Sequence, residues 1–167
     1  MKRDATRTRG GFMRFAGLLA LAVLVGPGAM PQAHAQGPVK IGFIHTDRGP
    51  LAQPGADMRD GFLLYWGEIG NRAGGRAVEI LTEGNDTNKA DEGLTKARKL
   101  VERDSVHILG GVIETPVAYA LAPYVVERKI PFLIMNAGAD DLTQRRASPF
   151  IFRANFSNSD SSHPLGE

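Results

Sequence analysis

Short apolar, β-branched runs alternate along this chain with longer stretches whose apolar residues recur every three or four positions. That alternation predicts strands and helices in succession. Residues 39–44 (Val39-Lys40-Ile41-Gly42-Phe43-Ile44), bounded by Gly37-Pro38, read as a first strand. A loop over Thr46-Asp47-Arg48-Gly49-Pro50 follows, then a helix over residues 55–71. Met58, Phe62, Tyr65 and Ile69 recur at helical spacing and predict its buried face, with Gly61 on the same side. Gly70 and Gly74-Gly75 end it. Residues 77–81 alternate partly and read as a second strand near a sheet edge. Residues 84–88 are rich in turn formers, with Asn88 a candidate helix cap. Ala90, Leu94, Ala97, Leu100 and Val101 then form an apolar stripe, with Lys89, Glu92, Lys96 and Lys99 around its solvent side.

The clearest pattern runs over residues 106–141. A strand (106–109) meets Gly110-Gly111, a polar loop (Glu114-Thr115-Pro116) and a helix (117–128) that buries Val117, Ala118, Leu121, Ala122 and Val125. A second strand (130–135) leads into Asn136-Ala137-Gly138-Ala139-Asp140. This is one βαβ unit, which a parallel strand pair requires. After a short turn over residues 142–146, an extended run (150–153) leads to a polar, unpatterned stretch (155–160). Five strands with intervening helices define an α/β fold with a doubly wound parallel sheet. In such sheets ligands sit where strand C-terminal ends meet helix N-termini, so both loops of the central unit lie at the expected site. Residues 161–167 read as the approach to another helix that would cover the last strand, so the chain reads as truncated.

The formal charge of +2 is misleading. Of 20 basic and 18 acidic residues, the first 35 positions hold five and one, which leaves 15 and 17 beyond them. The basic excess thus belongs to the leader, and a nucleic-acid partner gains no support from it. The leader pairs a basic region ending at Arg14 with an apolar run over residues 15–25, then Ala33-His34-Ala35, an A-x-A cleavage site. Eleven apolar residues fall short of the ~20 that span a bilayer, so residues 1–35 read as a cleaved secretory signal. With 0 cysteines the chain can carry neither a disulfide nor a lipid-modified cysteine, so no lipid anchor is expected.

Motifs for catalysis are missing. The loop after the first strand lacks G-x-G-x-x-G, and neither the phosphate-cradling loop nor the G-x-S-x-G elbow occurs. His45, His107 and His163 are scattered singly and offer no metal spacing, so no metal and no cofactor is expected. His107 reads as a satisfied core or sheet-face residue, and His45 is open between rim packing and ligand contact. Tyr65 falls on the core stripe, and Trp66 reads as a packing or interface group. Asp140-Asp141 permits acid/base work, but capping of the turn at Leu142 is the simpler reading. A loop opening a helix presents free amides and a positive dipole end to an anion. Thr115 fits such a site and fits equally an N-cap followed by Pro116. Glu114 beside it opposes an anion and suits a cationic or hydroxyl group.

Several of these segments, in order and behind a signal peptide, resemble type I periplasmic binding proteins of the leucine/isoleucine/valine-binding branch. They are Val39 to Ile44, Gly49-Pro50-Leu51-Ala52, Asp60-Gly61, Ala97-Arg98-Lys99-Leu100, Ile130-Pro131-Phe132, Asn136 to Thr143 and Ser148 to Arg153. The resemblance implies a receptor of an ABC importer in the periplasm, with a small-molecule ligand held between two α/β lobes and an inner-membrane permease as partner. It assigns residues 1–35 to the signal, 36–153 to the first lobe and 154–167 to the start of the crossover, with the second lobe missing. The ligand-contacting positions it implies are Arg48, Pro50 and Leu51, then Ile113, Glu114 and Thr115, then Asn136, Ala137 and Gly138. Glu114 and Ala139 stand where the branch usually offers Ser or Thr, which widens the expected ligand from amino acids to amides and aromatic acids. A ligand-sensing domain of a receptor or regulator with the same fold is the alternative, and an enzyme is not expected.

Overall fold

A computed structural model describes residues 37–166, so the signal expected over residues 1–35 lies outside the described residues. The strands are β1 (Val39–Arg48), β2 (Arg72–Ala73), β3 (Arg76–Asp86), β4 (Ile108–Gly111), β5 (Phe132–Ile134) and β6 (Ile151–Arg153). They form one sheet in the order β2-β3-β1-β4-β5-β6, parallel except for the two-residue β2 at its edge. The four main helices are α1 (Ala52–Glu68), α2 (Ala90–Arg98), α3 (Thr115–Arg128) and α4 (Asn158–Ser162). The doubly wound parallel sheet expected from the hydrophobic pattern is the fold observed.

Two strands outrun their apolar signal. Thr46 and Arg48 pair with Asn85 and Asp86, so polar residues read as loops extend β1 and β3 past their hydrophobic cores. Backbone hydrogen bonding across the ladder has no need of apolar side chains, which is why composition missed these ends. Asn88 does not cap α2; it takes φ +58, and Lys89 is the N-cap. Residues 155–160, expected to be irregular, open α4 through a capping box formed by Ser157 and Asp160.

Consecutive side chains of each strand divide the lobe into two layers. Ile44, Leu109, Phe132, Ile134 and Ile151 point into one core with Leu100 of the turn after α2 and with Val117, Leu121 and Val125 of α3. The predicted stripe of α3 is buried as expected, and in that of α2 Ala97 and Leu100 are buried while Ala90, Leu94 and Val101 are half-buried. Phe43 points the opposite way, and its ring stacks 4.5 Å from that of Phe62 on α1.

The expected buried face of α1 is rotated. Gly55 is its one buried residue, and a Cβ there would lie 1.9 Å from the Thr46 carbonyl oxygen. Close approach at Gly55 sets the contact line, which runs through Phe62 and Trp66 at helical spacing. Tyr65 (57% exposed) and Ile69 (40%) are therefore turned outward, and Gly61 has open space around it.

Candidate functional site

Among the described residues five polar ones are buried: His45, Thr46, Asn85, Glu114 and Ser157. Thr46 and Asn85 face each other at the C-terminal ends of β1 and β3, and His45 precedes Thr46. Glu114 follows β4, and Ser157 caps α4 beside the loop that follows β5. All five therefore belong to the carboxyl edge of the sheet. Burial of polar groups costs free energy unless they are paired, so their collection at one edge marks that edge as special.

The sheet order places β1 between β3 and β4, and the chain runs from β1 outward to β3 and then back to β4. The crevice between β1 and β4 is the switch point where open α/β sheets hold ligands. Glu114 crosses it: the Thr46 hydroxyl donates to Glu114 Oε1 at 2.7 Å. Glu114 Oε2 is buried with no hydrogen-bond partner. The backbone that aims Glu114 is strained at Val112, which has φ +66, after Gly111 at φ +100. A β-branched residue in the left-handed region is a genuine outlier, of a kind that gathers at functional sites. The Val112 amide bonds to the Ile44 carbonyl at 2.8 Å and its carbonyl accepts from Ala137 at 3.2 Å, so β1, β4 and the β5 loop hold the turn between them. Neither Thr46, Asn85 nor Val112 stood out in the sequence, since each looks ordinary without its neighbours.

Glu114, not Thr115, is the N-cap of α3, and no side chain bonds to the first-turn amides. The Ala118 amide makes the first helical bond, to the Glu114 carbonyl at 3.1 Å. Ile113 is buried beside Glu114, and Thr115 is half-buried. The loop after β1 is less committed to the crevice. Arg48 pairs with Asp47 at 3.1 Å and with Glu92, which draws its guanidinium toward the start of α2 and raises its pKa. Gly49 has φ +81 and packs on Thr87, whose hydroxyl accepts from the Leu51 amide at 3.2 Å. Pro50 is exposed and Leu51 half-buried.

The β5 loop is clamped from behind. Arg153 donates to the Ala137 carbonyl at 2.6 Å and to that of Ala139. Asn155 donates to the Asn136 carbonyl, and the Asn158 amide to that of Gly138, each at 2.8 Å. A Cβ on Gly138 would lie 2.0 Å from Asn158 Oδ1. Ala137 and Gly138 are buried, and the side chain of Asn136 is exposed.

The aspartate pair does not cap the turn at Leu142. Ala139 is the N-cap of the turn Asp140–Leu142, and no side chain bonds to it. Asp140 accepts from the Ser159 amide and hydroxyl, which hold its pKa at about 2, while Asp141 accepts from Tyr119 and Arg146. His45 packs at the rim, with Nδ1 unpartnered and Nε2 3.5 Å from Arg59; burial, then the Arg59 charge, lowers its pKa. His107 is exposed at the opposite edge, not in the core, where Nδ1 accepts from the Lys40 amide at 2.9 Å. Among the described residues no cluster of three acidic or histidine side chains could hold a metal, and no helix is long and apolar enough to cross a membrane.

The sequence profile of the periplasmic binding protein family matches residues 38–167, and the chain belongs to that family. Leu/Ile/Val-binding protein homolog 6 of Brucella abortus is 32% identical over 129 residues, which cover 76% of this chain and 32% of the relative. The chain thus spans about a third of the length of this relative. A solute-binding protein of an ABC transporter from Rhodopseudomonas palustris BisB5, solved with 3,4-dihydroxybenzoic acid, superposes with a TM-score of 0.72 at 29% identity. The match covers 77% of this chain and 35% of that one. Another R. palustris solute-binding protein, solved with 4-hydroxybenzoate, gives 0.67 at 28% identity over 77% and 36%. The sheet and its helices are one lobe of the type I periplasmic-binding-protein architecture, and these homologues are substrate-binding proteins of ABC transporters.

Proposed function

We propose that this lobe belongs to an extracytoplasmic substrate-binding protein of an ABC importer, which captures a small polar or carboxylate-bearing ligand and catalyses nothing. Residues 36–153 form the ligand-binding lobe and residues 154–167 begin the crossover to a second lobe. Residues 1–35 direct export to the periplasm and are removed after Ala35. An inner-membrane permease receives the ligand. The observation that supports this reading is that the five buried polar residues among the described ones gather at the carboxyl edge of the sheet, which holds the β1–β4 switch point. Aromatic acids lead the ligand classes, ahead of amino acids and amides. The two R. palustris relatives hold hydroxybenzoates, and Glu114 replaces the hydroxyl residue that grips an amino acid.

Capture needs a second surface. Micromolar affinity amounts to about 8 kcal/mol, whereas a helix N-terminus contributes about 0.3–2 kcal/mol toward an anion. One open edge leaves the ligand wet, and closure of a facing lobe supplies the remainder. Amide NMR of the 36–167 chain, titrated with 4-hydroxybenzoate, tests the site. The expected result is weak, saturable shifts confined to residues 48–51, 113–115 and 136–138. Shifts elsewhere, or micromolar affinity from the single lobe, would overturn the reading.

A further inference from the structure

We propose that Glu114 makes the β1–β4 crevice a receptor for a hydrogen-bond donor, so that the ligand presents a hydroxyl or ammonium group to this lobe and its carboxylate elsewhere. The inference rests on the ligand-binding reading above and names the end of the ligand that the lobe recognises.

Glu114 is 4% exposed and occupies the switch point itself. Of its two carboxylate oxygens, one is satisfied by Thr46 and the other is buried with no partner. A carboxylate has only acceptor sites, about four in all, and a buried acceptor left unmade is costly. Arg48, at the end of β1, is bound to Asp47 and Glu92. Among the described residues no cation is paired with Glu114. The missing partner must be a donor, and a donor brought by the ligand at the switch point fits.

The end of α3 points the same way. Its first-turn amides lack a side-chain cap, which by itself would mark an anion site. Glu114, however, is the residue that opens this helix, and it brings its own carboxylate charge to that end. A ligand carboxylate placed at the same point would meet that charge at close range. The strained turn at Val112 shows that the backbone is held, at a cost, in the conformation that keeps Glu114 across the crevice.

The test uses ligand pairs that differ in one donor: benzoate against 4-hydroxybenzoate, and 4-methylpentanoate against leucine. Affinities are read by amide NMR on the 36–167 chain and on Glu114→Gln, which keeps an acceptor for Thr46. Glu114→Met serves as a second variant that offers no acceptor or donor to the ligand. The donor-bearing member of at least one pair is expected to bind about tenfold tighter or more in the parent chain, as suits a hydrogen bond to a charged group. That ratio is expected to fall toward one in both variants. General damage to the site would weaken both members alike and leave the ratio intact. Equal binding within both pairs, or a ratio that survives both variants, overturns the role of Glu114 and leaves the site standing. Failure of all four compounds to shift the three loops overturns the site and this inference together.

Discussion

The two faces of the sheet are built to different standards, although their residues alternate along the same strands. In register, Leu109, Phe132 and Ile151 form one row across β4, β5 and β6, and Gly110, Leu133 and Phe152 form the next. The first row is 0%, 0% and 7% exposed and lies within the core shared with α2 and α3. In the second, Leu133 is half-buried and Phe152 is 50% exposed. A shift of one residue thus separates a finished core from an open one. The finished face requires only α2 and α3, which follow in sequence. On the other face, among the described residues, α1 reaches no farther than β1 in its main packing. Tight packing in this lobe follows from which helices the chain supplies, more than from hydrophobicity.

That contrast can be broken by mutation. Phe132→Ala should cost about 3–5 kcal/mol in chemical denaturation, as expected when a fully buried ring leaves a cavity. Phe62→Ala removes the ring that stacks on Phe43, but from a half-buried position, and should cost about 1–2 kcal/mol. Equal losses for the two would mean that both faces are equally consolidated.

The pH dependence sharpens the same comparison, because His45 lies on the α1 side, next to Arg59. Its pKa is lowered from 6.5, so the unfolded chain takes up the proton more readily than the folded lobe. The stabilisation that comes from keeping His45 neutral is present above pH 6.5 and is lost as pH falls below it. Urea melts on either side of pH 6.5 should show a loss of stability that His45→Gln flattens, while Phe132→Ala leaves the slope unchanged. An unaltered slope in His45→Gln would assign the effect to another group. Smallest of all, Phe152→Ser and Tyr65→Ser should each change stability by about 0.5 kcal/mol or less. A penalty near that of Phe132→Ala would show that something covers these side chains in solution.

Much of the lobe was legible from the chain alone. The βαβ unit over residues 106–135, the stripes of α2 and α3 and the parallel sheet all follow from short-range periodicity, which a linear sequence records faithfully. The loops after β1, β4 and β5 lie at the carboxyl edge, because strand order and crossover rules place them there. Within those loops the roles changed. Arg48 is engaged with Glu92, Glu114 displaces Thr115 as the cap, and Thr46 and Asn85 leave the loop class to become buried strand ends. Ion pairs and ladders of this kind join residues that are 44 and about 40 positions apart, beyond any local pattern.

Sequence by itself determined the alternation of elements, the hydrophobic identity of the main core and the presence of polar, glycine-punctuated loops after the strands. These depend on the properties of neighbouring residues. Only the tertiary structure decided the rotation of α1, since the close approach of Gly55 to the Thr46 carbonyl outweighs the apolar stripe through Tyr65 and Ile69. It also decided that Glu114 would lie across the switch point with one oxygen satisfied and one waiting. Both outcomes are set by contacts between distant segments, whose geometry exists only once the sheet has formed.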